Sequence, residues 1–306
     1  MRSREKVSCI VTAFGGKEDF VKSKARRPDI AWLAADLAPG DAAVVGFDRS
    51  QIRVWRIRSA DDPRFEAAYE RLWAEFGDRR EMETREVIAS RLTWEPSRPI
   101  GHYGYLYEML VVEHEEKMIA LRDHTAIVPV RASALTVPVV VHLSHVFVEP
   151  RWRGTGVAGW LRAFPLQAAR ECAAAVGAGA ASITLVAEME AAAESDAATL
   201  RRLVSYGKAG FCKVDPTRVD YAQPDFRNPV AIEASGVQPV PLGLIIRRVG
   251  RETEHQISGA EVRAIVSALY EMFEVHMRPE HMAPLWVRYD GLPSPNLLLE
   301  LVNPTP

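Results

Sequence analysis

Gly154, Gly156 and Gly159, in the stretch "RWRGTGVAGWL", leave a main chain open enough to approach an anion. The first turn of a helix offers unpaired N–H donors and the positive end of its dipole, so a phosphate is the natural guest. Arg153 adds a guanidinium able to make charge-assisted bonds to it. The glycines spell G-x-G-x-x-G, the spacing of a dinucleotide turn; one residue over, Arg153, Gly156 and Ala158 spell R-x-x-G-x-A. Upstream, "VHLSHVFV" holds His142 and His145, and imidazole accepts protons near neutral pH. Downstream, Tyr206 in "SYGKAGF" has a phenol that can donate one.

The surroundings decide between the two spacings. A dinucleotide fold sets its first glycine directly after its first strand, with an acid about 20 positions on. Here "EPRWR" separates Val148 from Gly154, the strand is not the first, and Glu188 lies too far downstream. No Gly-Lys-Ser/Thr follows, which excludes a Walker-type loop.

Regular structure is expected from "QIRVWRIRS" onward, an alternating strand. The preceding "KSKARRPD" reads as a solvated basic cluster and "IAWLAADLAPGD" as a short helical piece ending at a Pro-Gly turn. "DPRFEAAYERLWAEFG" and "METREVIASRL" read as helices, "YLYEMLVVEHEEKMIALRDHTAIV" as two strands joined at "EHEEK", and "LTVPVVVHLSHVFVEP" as one central strand. The helix after the loop contains Pro165, which should kink it. "ASITLVAEM", "FCKVD" and "LGLIIRRV" read as further strands, with the helix "AATLRRLVSYGKAG" after the first. Ser258 and Glu261 form a capping box ahead of an apolar stripe, Val262 to Phe273, that should cover the sheet. The tail from Leu285, "LWVRYDGLPSPNLLLELVNPTP", is open to adding extended segments whose place in the fold cannot be assigned. Strands followed by β-α-β-α-β predict a mixed α/β sheet.

Composition narrows the function. With 306 residues, 48% of them hydrophobic, the chain can bury a large core. A net charge of −2 gives no electrostatic reason to expect nucleic acid. The 3 cysteines are too scattered for a disulfide framework or zinc site, and His276 and His281 flank Pro279 at poor ligand spacing, so no metal is expected. No signal peptide or membrane span is evident, and the expectation is a soluble cytoplasmic protein.

"VFVEPRWRGTGVAGWL" resembles the strand, proline, R-G-x-G-x-A loop and helix of the GNAT (N-acetyltransferase) superfamily, and "SYGKAGFCKV" resembles its Y-x-K-x-G-F segment, in the family's order. The resemblance covers roughly Ile52 to Val249. It implies a GNAT-like acyltransferase domain over residues 51–250, with an N-terminal extension over 1–50 and a C-terminal helix and tail over 251–306. It further implies acetyl-CoA as co-substrate. The pantetheine arm would pair with Val146, Phe147 and Val148, and the pyrophosphate would rest on Arg153, Gly154, Thr155, Gly156, Val157 and Ala158. Thr199 departs from the family's usual asparagine.

By the same resemblance Tyr206 is the acid that protonates the leaving sulfur. Strand alternation puts His142, Ser144, Val146 and Val148 on one face, with Leu143, His145 and Phe147 on the other. His142 is therefore the expected base, with Glu188 and Glu190 as weaker candidates, and a bulge between His142 and His145 would exchange their faces. The expected reaction is acetyl transfer to a primary amine, small-molecule or peptide, without nucleic acid or membrane and with a homodimer allowed. The alternative is a non-catalytic acyl-CoA-binding module. The amine pocket should draw on Ala68 to Leu92, the "YAQPDF" loop and the C-terminal helix.

Overall fold

Runs of β-branched and aromatic residues build the centre of the molecule, in a computed structural model that describes residues 30–44, 46–130, 137–179, 181–190 and 197–302. β1 (Ile52–Ile57) lies antiparallel to β2 (Tyr103–His114), which turns into β3 (Lys117–Pro129) through Glu115 and Glu116, at φ 49° and 61°. Two successive positive φ values give the turn whose twist matches a hairpin. β4 (Val139–His142) pairs antiparallel with β3 and parallel with β6 (Ile183–Met189), while β5 (Val146–Val148) pairs with β3 alone. The expected single central strand is therefore broken in two.

β7 (Cys212–Val214) follows, then a small hairpin of β8 (Ala222–Gln223) and β9 (Val240–Pro241), then β10 (Gly243–Arg248), β11 (Gln256–Ile257) and β12 (Leu297–Leu301). The large sheet runs β1-β2-β3-β4-β6-β10-β7-β12-β11. The tail left unassigned from sequence supplies β12 beside β7. This is the mixed α/β architecture that the GNAT resemblance implies.

Helices cover both faces. α1 (Pro39–Ala42) starts at the Pro-Gly pair instead of ending there, because proline is pre-set for a first helical turn. α2 (Phe65–Phe76), α3 (Arg85–Arg91) and, later in the chain, α8 (Gly259–Glu274) bury one face with Tyr105, Tyr107, Val140, Phe147 and Val186. α4 (Val157–Ala163) and α5 (Pro165–Ala175) are one helix path divided at Phe164, with Pro165 as the first residue of the second piece. With α6 (Ala197–Lys208) they bury the opposite face. α7 (Pro229–Ser235) and α9 (Pro279–Asp290) complete the set; α9 accommodates Pro284, and its prolines conceal it from periodicity. Ser258 Oγ accepts the Glu261 N–H at 3.1 Å, as a cap should.

Order also begins earlier than expected. Trp32 packs edge-on against Trp160 and Phe164, with ring centroids 4.8 and 5.1 Å apart, so residues ahead of Gln51 belong to the core. The basic "KSKARRPD" cluster and Cys9 lie outside the described residues.

Candidate functional site

The break between β4 and β5 shapes the site. Thr125 of β3 pairs with His142 and Arg122 pairs with Val146. Two β3 residues thus face three, Leu143 to His145, so one extra residue bulges out. The bulge overturns the expected alternation. His142 contacts Phe273 of α8 and His145 contacts Phe76 of α2, so both histidines share the face of Phe147. Val146 and Val148 point to the opposite side, toward α4.

The bulge also frees an edge. His145 C=O and Glu149 N–H bond to β3, so the alternate residues Val146 and Val148 turn their backbone groups away from it. Leu143 N–H still reaches Val186 O of β6 at 2.8 Å, after which the two strands part. A cavity of about 90 Å³ opens in this cleft. Its lining combines Phe76, Glu81 and Glu83 after α2, His142 to Val146, Ala187 to Glu190, Arg202 and Tyr206, Gln223 and Phe226, and Phe273. Each of the segments expected to shape an acceptor pocket contributes to it.

The two histidines differ in what holds them. His145 is clamped at both nitrogens: Nδ1 lies 3.0 Å from Asp123 and Nε2 lies 2.8 Å from the Glu81 carbonyl. Burial alone would lower its pKa, but the Asp123 charge outweighs burial and lifts it to about 9, so it is cationic and donates from both nitrogens. Asp123, despite its own burial, is drawn down to about 2 by His145 and accepts further bonds from the His145 N–H and the Tyr107 hydroxyl. His145 is an anchor.

His142 instead joins a chain that ends in the cavity. Its Nε2 lies 3.0 Å from Glu188 Oε2 and its Nδ1 lies 3.1 Å from Ser144 Oγ. An ionised carboxylate only accepts, so Nε2–H donates to Glu188, which leaves Nδ1 to accept the Ser144 proton. Tyr221 donates to the other Glu188 oxygen at 2.6 Å; burial and then Glu188 push that phenol well above its ordinary pKa, so it stays a donor.

Tyr206 lines the cavity from the α6 side, stacked edge-on to Phe211 with centroids 4.8 Å apart. Its hydroxyl accepts from Arg122 Nη2 at 3.1 Å. A guanidinium can only donate, so the Tyr206 proton is not spent on that bond.

At the rim, Glu81 and Glu190 lie within hydrogen-bond reach of each other. Burial, then the Glu190 carboxylate, raises Glu81 to about 7, while Glu190 is lowered by its bond to Glu81. Arg202 Nη2 holds Glu190 at 2.9 Å and Thr199 Oγ1 at 2.8 Å. Glu83 is paired with Arg91. Sequence reasoning missed Glu81, Glu83, Ser144 as a partner of His142, and Arg122. Only the i, i+2 spacing of His142 and Ser144 offered a signal.

Beyond β5 lies the glycine loop. Gly154 and Gly156 have φ of 77° and 99°, and Gly156 is the residue from which α4 starts. A Cβ on Gly154 would meet nothing within 4 Å, so the loop is open there. Its other flank is covered: a Cβ on Gly156 would stand 2.4 Å from the Val44 carbonyl oxygen, and Gly46 N–H bonds Thr155 O at 2.9 Å. Arg153 Nε reaches back to Val148 O at 3.1 Å. Asp41 of α1 pins this flank through Arg162, at 2.5 and 3.1 Å. His276, far from the loop, stacks on Trp94 and is lowered to about 4 by burial and then Arg91.

No family model and no curated protein matches the sequence. Among solved structures the chain is similar to an acetyltransferase from Streptococcus agalactiae 2603, at 11% identity and a TM-score of 0.38, over 65% of this chain and 98% of that one. It is similar to a GNAT family acetyltransferase from Elizabethkingia anophelis with acetyl-CoA bound, at 15% identity and a TM-score of 0.32, over 65% and 98%. An acetyltransferase from Bacillus subtilis in complex with CoA is matched at 14% identity and a TM-score of 0.31, over 64% of this chain and 98% of that one.

Proposed function

We propose that the chain is an acyltransferase of the GNAT type that moves an acetyl group from acetyl-CoA to a primary amine. The observation that carries this reading is the cavity in the β4–β5 cleft, which has a proton acceptor on one wall and a proton donor on the other. A module that only binds acyl-CoA needs neither.

The co-substrate fits the residues present. The backbone groups of Val146 and the N–H of Val148, turned away from β3, suit an extended amide-bearing arm, which can pair with them as a further strand would, while Val148 O is held by Arg153. Past β5, Gly154 keeps the main chain accessible, and Arg153 with the N–H groups of Gly156 to Ala158 suits the diphosphate, while Thr155 shapes the turn by bonding Trp152 O. Phe147 turns its side chain to the other face, under the Arg71 guanidinium at 3.7 Å, and pairs its backbone with Leu121 of β3, so its part is to hold the two flanking valines in place.

An aliphatic amine has an ordinary pKa of about 10.4 and arrives protonated, so it needs a group to take its proton. Ser144 Oγ is the end of the chain that faces the cavity. As it accepts a proton from the nitrogen, it passes its own to His142 Nδ1, and Glu188 stabilises the imidazolium. His142 thus acts through Ser144. The nitrogen lone pair bonds to the carbonyl carbon, the carbon–sulfur bond breaks with its electron pair going to sulfur, sulfur takes the Tyr206 proton, and the nitrogen sheds its second proton to solvent as the amide forms.

Calorimetry with acetyl-CoA, followed by thiol release across a panel of primary amines, tests the reading. Wild type should bind and turn over, and Ser144→Ala and His142→Ala should each lower kcat/KM by roughly 10²–10⁴-fold. Absence of acetyl-CoA binding, or of thiol release with every amine, overturns it.

A further inference from the structure

Arg122 stands on β3 opposite Val146, on the side of the sheet covered by α4 and α6, with 1% of its surface exposed. A guanidinium does not lose its proton in a protein, so a full charge is buried with it. Among the described residues no carboxylate pairs with it. Asp123 turns to the other face and His145, Glu108 is held by Arg56 and Arg58, and Asp41 is held by Arg162. His124, next but one along the strand, is kept below its ordinary pKa by burial and supplies no negative charge.

Among the described residues the one hydrogen bond of the Arg122 side chain runs from Nη2 to the Tyr206 hydroxyl, 3.1 Å away, while Nε and Nη1 are buried without a partner there. Water can satisfy an N–H group but cannot neutralise a charge. A lone cation in a low-dielectric interior is strongly destabilising unless something compensates it. The nearest group able to become an anion is the one it already touches.

We propose that Arg122 is a positioning residue whose counter-ion is the Tyr206 phenolate formed during turnover. The inference rests on the acyl-transfer reading above. When the carbon–sulfur bond breaks, sulfur takes the Tyr206 proton and the O–H electron pair stays on the phenolic oxygen. The phenolate is then held by the guanidinium already bonded to it. Arg162 lies with its guanidinium carbon 5.4 Å from the Tyr206 ring centroid, but Asp41 already neutralises it, which leaves Arg122 as the uncommitted charge. The phenolate regains a proton from solvent; of the two protons that the ammonium loses, the first leaves through Ser144 and His142 and the second to solvent, so each cycle closes with a net release of one.

Removing a pre-set donor to a developing anion typically slows an enzyme by about 10²–10³-fold. Arg122→Met should lower kcat for acetyl-CoA by that factor, keep KM for acetyl-CoA within about threefold, and leave Tm equal to or above wild type, since an uncompensated charge has gone. Arg122→Lys, which keeps the charge without the fork, should fall between the two. In a Tyr206→Phe background Arg122→Met should cause no further loss of kcat, because both act on one proton transfer. Loss of folding or a lowered Tm in Arg122→Met means that the guanidinium is structural and overturns the proposal, as do multiplying losses in the double variant. Wild-type protein that releases no thiol with any amine instead fails the acyl-transfer reading itself.

Discussion

Replacing His145 with alanine removes one half of a buried ion pair and leaves the other half in place. Asp123 is completely buried and would keep only the residue 145 N–H and the Tyr107 hydroxyl as donors. The Glu81 carbonyl would lose its bond as well. Breaking a buried pair from one side costs about 3–5 kcal/mol, and lifting an imidazole from its ordinary 6.5 to about 9 corresponds to roughly 3 kcal/mol, an upper bound for so tightly coupled a pair. For a chain of this length that is a fall in Tm of roughly 5–15 °C. The pH dependence follows from the direction of the shifts. A raised histidine pKa stabilises fully below about 6.5 and ceases to do so as pH rises through about 9. A depressed aspartate pKa stabilises above about 4 and fails as pH falls through about 2. The gap between wild type and His145→Ala should therefore be widest from about pH 4 to 6.5 and narrow toward about pH 10. Thermal unfolding followed by circular dichroism across that range reads it directly. A gap that is absent, or that stays constant up to about pH 10, refutes the assignment of His145 as a cationic anchor.

The carboxyl pair at the rim gives the opposite sign. Glu81, raised to about 7, stabilises the fold below its ordinary carboxylate range and loses that contribution as pH rises through about 7, so Glu81→Gln should unfold later than wild type above about pH 7.5 and match it below about pH 4.5. Solvent screening of this half-buried side chain limits the gain to roughly 1 kcal/mol, measurable by calorimetry at two pH values. In the loop, Gly156→Ala should cost about 2–3 kcal/mol in denaturant unfolding, because the new methyl meets the Val44 carbonyl in addition to the backbone strain. Gly154→Ala should cost only about 1 kcal/mol, since its Cβ enters open space.

Most of the fold was legible because strands and helices announce themselves by period. The hairpin at "EHEEK", the cap at Ser258 and the break at Pro165 each rest on a few adjacent residues whose local chemistry decides the outcome. What failed needed knowledge of a distant partner. α9 contains prolines at both its start and its interior and is held in place by the apolar face it shares with α8. Leu297–Leu301 could be read as extended, but its place beside β7 depends on the edge that β7 offers, which nothing in its own sequence states. Residues ahead of Gln51 carry no clear period, and the packing of Trp32 against Trp160 and Phe164 ties them to the core.

The site divides in the same way. A glycine loop and a tyrosine at fixed separation are visible in one dimension, but the register that orients the histidines is not. One extra residue between His142 and Val146 turns both imidazoles to one face and releases the Val146–Val148 edge from β6. Side chains that alternation would have assigned to a single face are thereby parted. Val146 and Val148 turn toward α4, and the two imidazoles gather on the other side of the strand. The charges that settle each role come from β3, more than fifteen residues upstream in the chain: Asp123 fixes His145 as a cation, and Arg122 fixes the Tyr206 oxygen as an acceptor. Neighbours on β3, these two residues point to opposite faces and reach opposite walls of the cleft, so one strand sets the electrostatics of both.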